Sequence, residues 1–232
     1  MIRTVISIAL PVDERLLIQK NVISHGTGKK RICIVTGTHG DELEGQYVCF
    51  QLNKIVQENL DKLDGTIEIY PALNPLGIDS ITRGIPNFDL DMNRIFPGNP
   101  DGTMAERVAY AIFQDLQGAD MVIDIHSSSI FLREIPQVRV NVNTAERLVP
   151  YAKLLNTDFI WVHEAATVLE ATLAHSLNTA GTPTLVVEMG VGMRINHGYG
   201  NRLVTGIFNL MHELGMWSEQ DESHLISRPV VS

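Results

Sequence analysis

Lys30-Arg31-Ile32-Cys33-Ile34-Val35-Thr36-Gly37-Thr38-His39-Gly40-Asp41-Glu42 is the stretch from which the fold can be read. Its first seven residues are a short Ile/Val-rich run, which predicts a buried β-strand over Lys30–Thr36. Gly37 and Gly40 permit the tight backbone of a sharp turn. A helical pattern begins near Glu42 and is expected to run to Leu63. His39 and Glu42 stand three apart at this strand-to-helix turn, so both side chains can converge on one ion. The carboxyl end of a strand is also where open α/β sheets bind ligands. On this motif alone a second reading fits as well: Asp41 and Glu42 cap the helix N-terminus, and His39 is a loop residue.

Outward from this unit the same alternation repeats. Further strands are expected at Thr4–Leu10, Thr66–Tyr70, Met121–Ile125, Phe159–Val162 and Thr184–Glu188. Further helices are expected at Met104–Gln117, Ala145–Leu155, Leu169–Thr179 and Gly200–Leu214, the last with Gly215 placed as its C-terminal cap. The strands are Val/Ile-rich without strict alternation, as in strands covered on both faces. The pattern predicts an α/β fold: a three-layer α/β/α sandwich around a mostly parallel, mixed sheet. Residues 1–216 read as one domain, and residues 217–232 as a polar, peripheral tail. The segment Pro71–Gly102 is rich in Pro, Gly, Asn and Asp and has no clear period. A loop of about 30 residues in a compact domain is usually functional.

Bulk properties exclude several classes. The 232 residues include 18 Lys or Arg and 27 Asp or Glu, a net charge of −9, which disfavours nucleic acids and anionic membranes. No apolar run approaches the ~20 residues needed to span a bilayer. Residues 1–10 read as a first strand rather than a signal peptide, so a cytoplasmic location is expected. Cys33 and Cys49 fall on apolar faces and read as small buried hydrophobes. Nothing in the sequence fixes an oligomeric state.

The run Met121-Val122-Ile123-Asp124-Ile125-His126 is a second strand that delivers a histidine at its carboxyl end. A neighbouring parallel strand would bring His126 to the same rim as His39. Asp124 lies within an otherwise apolar strand, which is costly unless it is paired. It could orient a ligating histidine or bond the surrounding loop; alternatively it could pair with an arginine of the 83–94 loop. Two histidines and one glutamate with a position left open form the ligand set of catalytic zinc sites. A third strand ends in Val186-Val187-Glu188-Met189-Gly190, where Glu188 fits a general acid or base, or else an ordinary exposed strand end.

The irregular segment holds Arg83 and Arg94 with Asn93 beside the latter. A guanidinium fork suits a small carboxylate-bearing substrate, and Asp89 and Asp91 could hold the arginines in place. A surface ion-pair cluster pinning a long loop is the competing reading. His163 and His197 are further candidates for lining the pocket, and Arg133, Arg139 and Arg194 for meeting a second anionic group on the substrate, whereas His25, His175, His212 and His224 lie in helix, turn or tail contexts without a partner motif.

Four motifs in this order, HGDE, DLDMNRIFPG, DIHSSS and VVEMG, resemble the succinylglutamate desuccinylase/aspartoacylase family, a branch of the zinc carboxypeptidase superfamily. The resemblance covers about residues 30 to 192 and implies a zinc-carboxypeptidase-like fold. It implies one zinc ion held by His39, Glu42 and His126, with Glu188 promoting attack of water. It also implies a substrate carboxylate clamped by Asn93 and Arg94, and an oxyanion stabilised by Arg83. Family members usually carry a further β domain that narrows the entrance, and this sequence is expected to lack it, leaving a more open site. The activity implied is cleavage of an amide bond next to a carboxylate in a small N-acyl amino acid. A carboxypeptidase acting on peptides or cell-wall fragments, or a non-catalytic metal-binding module, are the rivals.

Overall fold

The computed structural model describes residues 1–86, 90–164, 170–220 and 229–232. Among the described residues nine strands form a single mixed sheet: β1 (Ile2–Ala9), β2 (Arg15–His25), β3 (Arg31–Thr36), β4 (Gly65–Tyr70), β5 (Met121–His126), β6 (Glu134–Asn141), β7 (Phe159–His163), β8 (Thr184–Gly190) and β9 (Val230–Val231). Their spatial order is β1-β2-β4-β3-β5-β8-β6-β7-β9. The central β4, β3, β5 and β8 are parallel, whereas β1, β2 and β6 join through antiparallel pairings. The helices are α1 (Glu44–Glu58), α2 (Pro75–Ser80), α3 (Met104–Leu116), α4 (Ala145–Ala152), α5 (Leu173–Thr179) and α6 (His197–Glu213). No described helix is long and apolar enough to cross a membrane.

The side-chain period of two along each strand divides the core into two layers. Ile32, Ile34, Ile123, Ile125, Leu185 and Val187 face α1, α4 and α6. Cys33, Val35 and Val122 face α3 and α5. The α/β/α sandwich expected from the sequence is therefore present. Both cysteines are buried, at 0% and 2% exposure, as small hydrophobes would be. Gly215, at φ 70°, ends α6 in the left-handed conformation expected of a C-terminal cap.

Several boundaries differ from the sequence reading. Helix α1 starts at Glu44, because residues 39–43 form the turn, and it stops at Glu58 before a 3-10 turn over Leu60–Lys62. The start of the helix expected at Leu169 lies outside the described residues, and α5 begins at Leu173 behind the Thr172 cap. The supposed loop 71–102 contains α2 and a 3-10 turn over Met92–Arg94. It is pinned by Asn74, which accepts from the Gly77 amide and donates to the Gly84 carbonyl at 3.0 Å each. The tail is less peripheral than its polarity suggests: Trp217 packs on Phe208, and Val230–Val231 pairs with β7.

Strands β2 and β6 are absent from the sequence reading, each for a physical reason. Along β2 the buried positions are Leu16, Ile18, Lys20 and Ile23, so a lysine occupies a core position. Its ammonium lies 3.0 Å from Glu68 Oε2 on β4 and 2.7 Å from Asp115 Oδ2 on α3. Arg31 Nη1 reaches the same Glu68 oxygen at 2.8 Å and the Asp115 carbonyl at 2.9 Å, and the Tyr70 hydroxyl is 2.9 Å from Glu68. Burial pushes the Glu68 carboxyl up, but Lys20, Tyr70 and Arg31 outweigh it and hold the group below the usual carboxylate range. Removing one member of such a buried set leaves its partners uncompensated. Glu68→Ala is expected to cost about 3–5 kcal/mol in urea unfolding at neutral pH. Because the native carboxyl titrates low, this stabilisation is complete above the usual carboxylate range and fades as the pH falls below it. The gap between wild type and Glu68→Gln should therefore narrow on acidification, and a gap independent of pH would contradict the ion-pair account.

Candidate active site

The carboxyl ends of β3, β5 and β8 lie side by side, and each delivers acidic or imidazole side chains to a single cavity. His39 follows β3 in a turn that passes hard against α2: a Cβ at Gly40 would collide with the Gly77 backbone, and Gly37 adopts a φ of 72°. The Gly40 amide donates to the Thr82 carbonyl at 3.0 Å, which ties the turn to the loop. His126 ends β5, and parallel pairing sets it directly opposite Glu188 on β8. Asp124, two residues earlier, shares its face. This face is the one turned toward α3 and α5, since Ile123 and Ile125 pack on the opposite side.

His39, Glu42 and His126 converge, with one potential ligand atom from each lying within 4.8 Å of the others. All three are buried at 3% exposure. Glu42 bridges the imidazoles, its Oε1 at 2.8 Å from His39 Nδ1 and its Oε2 at 3.0 Å from His126 Nδ1. The Ser127 amide donates to Oε2 at 3.0 Å. Burial pushes the Glu42 carboxyl up, yet the two imidazoles hold it well below the usual carboxylate range. Asp91 and Glu42 raise His39, and Asp124 and Glu42 raise His126 strongly, in both cases against the pull of burial.

Each imidazole turns its other nitrogen toward a second carboxylate. His39 Nε2 lies 2.9 Å from Asp91 Oδ1, and His126 Nε2 lies 3.1 Å from Asp124 Oδ1, off the line of a hydrogen bond. Asp124 thus faces the histidine rather than an arginine of the 83–94 loop. Asp91 does approach Arg83, at 3.5 Å, but its contact with His39 was not legible in the sequence. Asp89 lies outside the described residues. Two histidines and a carboxylate, with second carboxylates on the far ring nitrogens, are a donor set suited to a zinc ion.

The surrounding cavity has a volume of about 610 Å³. Arg83, Asn93, Arg94 and Glu188 all line it together with the His/Glu cluster. Arg83 Nη1 lies 3.0 Å from Glu42 Oε1. Asn93 is buried and accepts from the Leu173 amide at 2.9 Å, which anchors the start of α5. Arg94 is exposed and donates to the Asn93 carbonyl at 2.8 Å. Burial pushes the Glu188 carboxyl up to about 7, against the pull of His126 and Arg139 and with Glu42 and Glu134 adding to the rise.

The cavity reaches beyond these residues onto the face of β6 and β7 turned away from α4, where Arg139, Asn141, Trp161 and His163 line it. His175, which its helical context gave no reason to single out, also lines the wall. His197 instead stacks on Tyr47 at 4.7 Å, and Arg133 lies over Tyr199. His25 and His212 each meet a backbone carbonyl, of Leu63 and Trp217, and His224 lies outside the described residues.

The family model of the succinylglutamate desuccinylase/aspartoacylase catalytic domain matches residues 28–214. The chain belongs to this family. Among members of related sequence, the N-alpha-acetyl-L-2,4-diaminobutyric acid deacetylase of Halomonas elongata is 30% identical over 122 residues, 52% of this chain. The match spans 35% of that relative's length. The family fold is shared with the product-bound ectoine utilization protein EutE (DoeB) of Ruegeria pomeroyi, at a TM-score of 0.83 and 22% identity over 97% of this chain and 69% of that one. A metallo-carboxypeptidase from Burkholderia cenocepacia has the same architecture, at a TM-score of 0.68 and 16% identity over 90% of this chain and 61% of that one. The carboxypeptidase-like fold expected from the sequence motifs is thus present.

In this family member the turn at Gly40 sets the position of His39. Gly40→Ala forces the turn away from α2 and is expected to lower stability by about 1–3 kcal/mol, the usual cost of overpacking. Thermal denaturation would measure it, and a variant as stable as wild type would show that the turn yields freely.

Proposed function

We propose that the chain is a zinc-dependent hydrolase that cleaves an amide bond adjacent to a carboxylate in a small N-acyl amino acid. The observation that supports this most directly is the buried convergence of His39, Glu42 and His126 in a cavity shared with Glu188, Asn93 and Arg94. One zinc ion per chain would be held by the two imidazoles and the Glu42 carboxylate, with Asp91 and Asp124 fixing the rings. Bound there, zinc would lower the pKa of a water molecule and polarise the scissile carbonyl.

The remaining steps belong to the protein's own side chains. Arg94, with Asn93 beside it, grips the substrate carboxylate, and a guanidinium fork matches that group in shape and charge. This grip sets the amide over the cluster and converts a collision into an oriented encounter. Glu188 takes a proton from the attacking water. A carboxyl titrating near neutrality suits that role, because the same group can then pass the proton to the departing amine. Arg83, beside Glu42 at the cavity wall, offers positive charge to the oxyanion that forms on the carbonyl. The products are a carboxylic acid and a free amino acid.

A second reading is a carboxypeptidase that removes the last residue of a peptide, using the same groups. It is favoured by a cavity of about 610 Å³ that extends past the cluster to Trp161 and His163, more room than a small acyl group needs. Amino-acid release from N-acyl amino acids, compared with release from peptides with free C-termini, separates the two.

Purified protein is expected to contain one zinc per chain by elemental analysis, and a chelator should abolish turnover. His39→Ala should lose the metal. Glu188→Gln should keep the zinc while kcat falls by about 10²–10⁴-fold, the usual contribution of a general base. Full activity in that variant would remove Glu188 from the chemistry. Arg94→Met should raise KM, with a loss of about 1.5–3 kcal/mol typical of a hydrogen bond to a charged group.

A further inference from the structure

The cavity contains a charged residue, Arg139, that this mechanism leaves unused. Arg139 on β6 lies opposite Val186 on β8 and opposite Trp161 on β7. Glu188 is two residues beyond Val186 on the same face, so Arg139 and Glu188 are diagonal neighbours, a separation that long side chains span. Arg139 Nη1 is 3.2 Å from Glu188 Oε1. Its Nη2 is 3.1 Å and 3.3 Å from the two carboxylate oxygens of Glu134. The guanidinium also rests over the Trp161 ring, at 5.4 Å from the centroid.

We infer that Arg139 is a positioning residue for Glu188, its guanidinium shelved on Trp161 and tethered by Glu134 so that the Glu188 carboxylate faces the cluster. The inference rests on the reading of Glu188 as general base. Three features of the array support it. The Glu188 side chain is 15% exposed, and a carboxylate so far withdrawn from water needs a partner. Among the described residues, Arg139 is the cation at ion-pair distance from it. A guanidinium also has two outer nitrogens in a fixed plane, so it can hold one carboxylate with each while its face lies on an aromatic ring; an ammonium cannot.

Arg139 also lines the cavity, so the competing role is capture of a second carboxylate on the substrate. The charges argue against it. Its outer nitrogens already face Glu134 and Glu188, two anions against one cation, which leaves little attraction for a third.

The two roles separate in steady-state kinetics on the zinc-loaded enzyme. Arg139→Met is expected to lower kcat about 10–100-fold with KM nearly unchanged, as loss of a group that orients another usually does. Arg139→Lys, which keeps the charge without the fork, should recover part of that loss. In a Glu188→Gln background, Arg139→Met should have almost no further effect, because both changes disable one unit. A raised KM with kcat retained would assign Arg139 to the substrate and overturn the inference. So would a loss that multiplies fully with that of Glu188→Gln. If the wild-type enzyme turned over no N-acyl amino acid or peptide, the proposed function would fail by itself. Crystal structures of wild type and Arg139→Met would then decide the pairing. A Glu188 carboxylate swung away from the cavity in the variant would support it, and an unmoved one would overturn it.

Discussion

The Glu42 carboxylate, buried between two imidazoles, is the interaction on which the site depends. A carboxylate with 3% exposure is costly unless its oxygens are met, and here they are met by His39 Nδ1, His126 Nδ1, Arg83 and the Ser127 amide. Those partners come from the β3–α1 turn, the end of β5 and the loop that follows α2. One buried charge therefore ties three separate segments together, and the outer carboxylates of Asp91 and Asp124 complete the arrangement. The atoms that could hold a metal ion and those that make the polar bonds of the fold are the same.

The sheet makes this convergence possible. Parallel pairing of β3, β5 and β8 brings their carboxyl ends to one rim, and the two-residue period of β5 and β8 turns Asp124, His126 and Glu188 to one face. Strand β6 then enters antiparallel to β8, so that its polar positions face the cavity while Val138 and Val140 pack into the core. The cavity is thus floored by a sheet with two kinds of wall. One wall is the His/Glu cluster with its arginine-bearing loop. The other is the face of β6 and β7 carrying Arg139 and Trp161.

Elsewhere the molecule meets similar demands by similar means. Lys20, Arg31, Glu68, Tyr70 and Asp115 form a charged and polar group between the sheet and α3. Each member is tolerable only because the others are present. The Arg139 array next to Glu188 follows the same logic in the cavity, where charge neutralisation also fixes the orientation of a group proposed to act on substrate.

Strand–helix alternation, the buried cysteines and the positions of β3, β5 and β8 were legible in the sequence alone, because short Val/Ile-rich runs punctuated by glycine or serine leave few other folds. The same runs named His39, Glu42, His126 and Glu188 as candidates, since polar side chains at the ends of buried strands need a reason to be there. Strands β2 and β6 were hidden because Lys20 and Arg139 occupy positions that read as polar interruptions until their partners are known. Those partners, Glu68 and Glu188, are brought near by sheet order and register, and neither is a local property of the chain. Likewise the contact of Asp91 with His39 exists only once the loop after α2 is folded against the β3–α1 turn, whereas Asp124 and His126, two residues apart on one face of β5, meet within a single strand. The sequence determined which side chains the rim offers; only the tertiary structure decided which group holds which, because pairings between distant residues follow strand register.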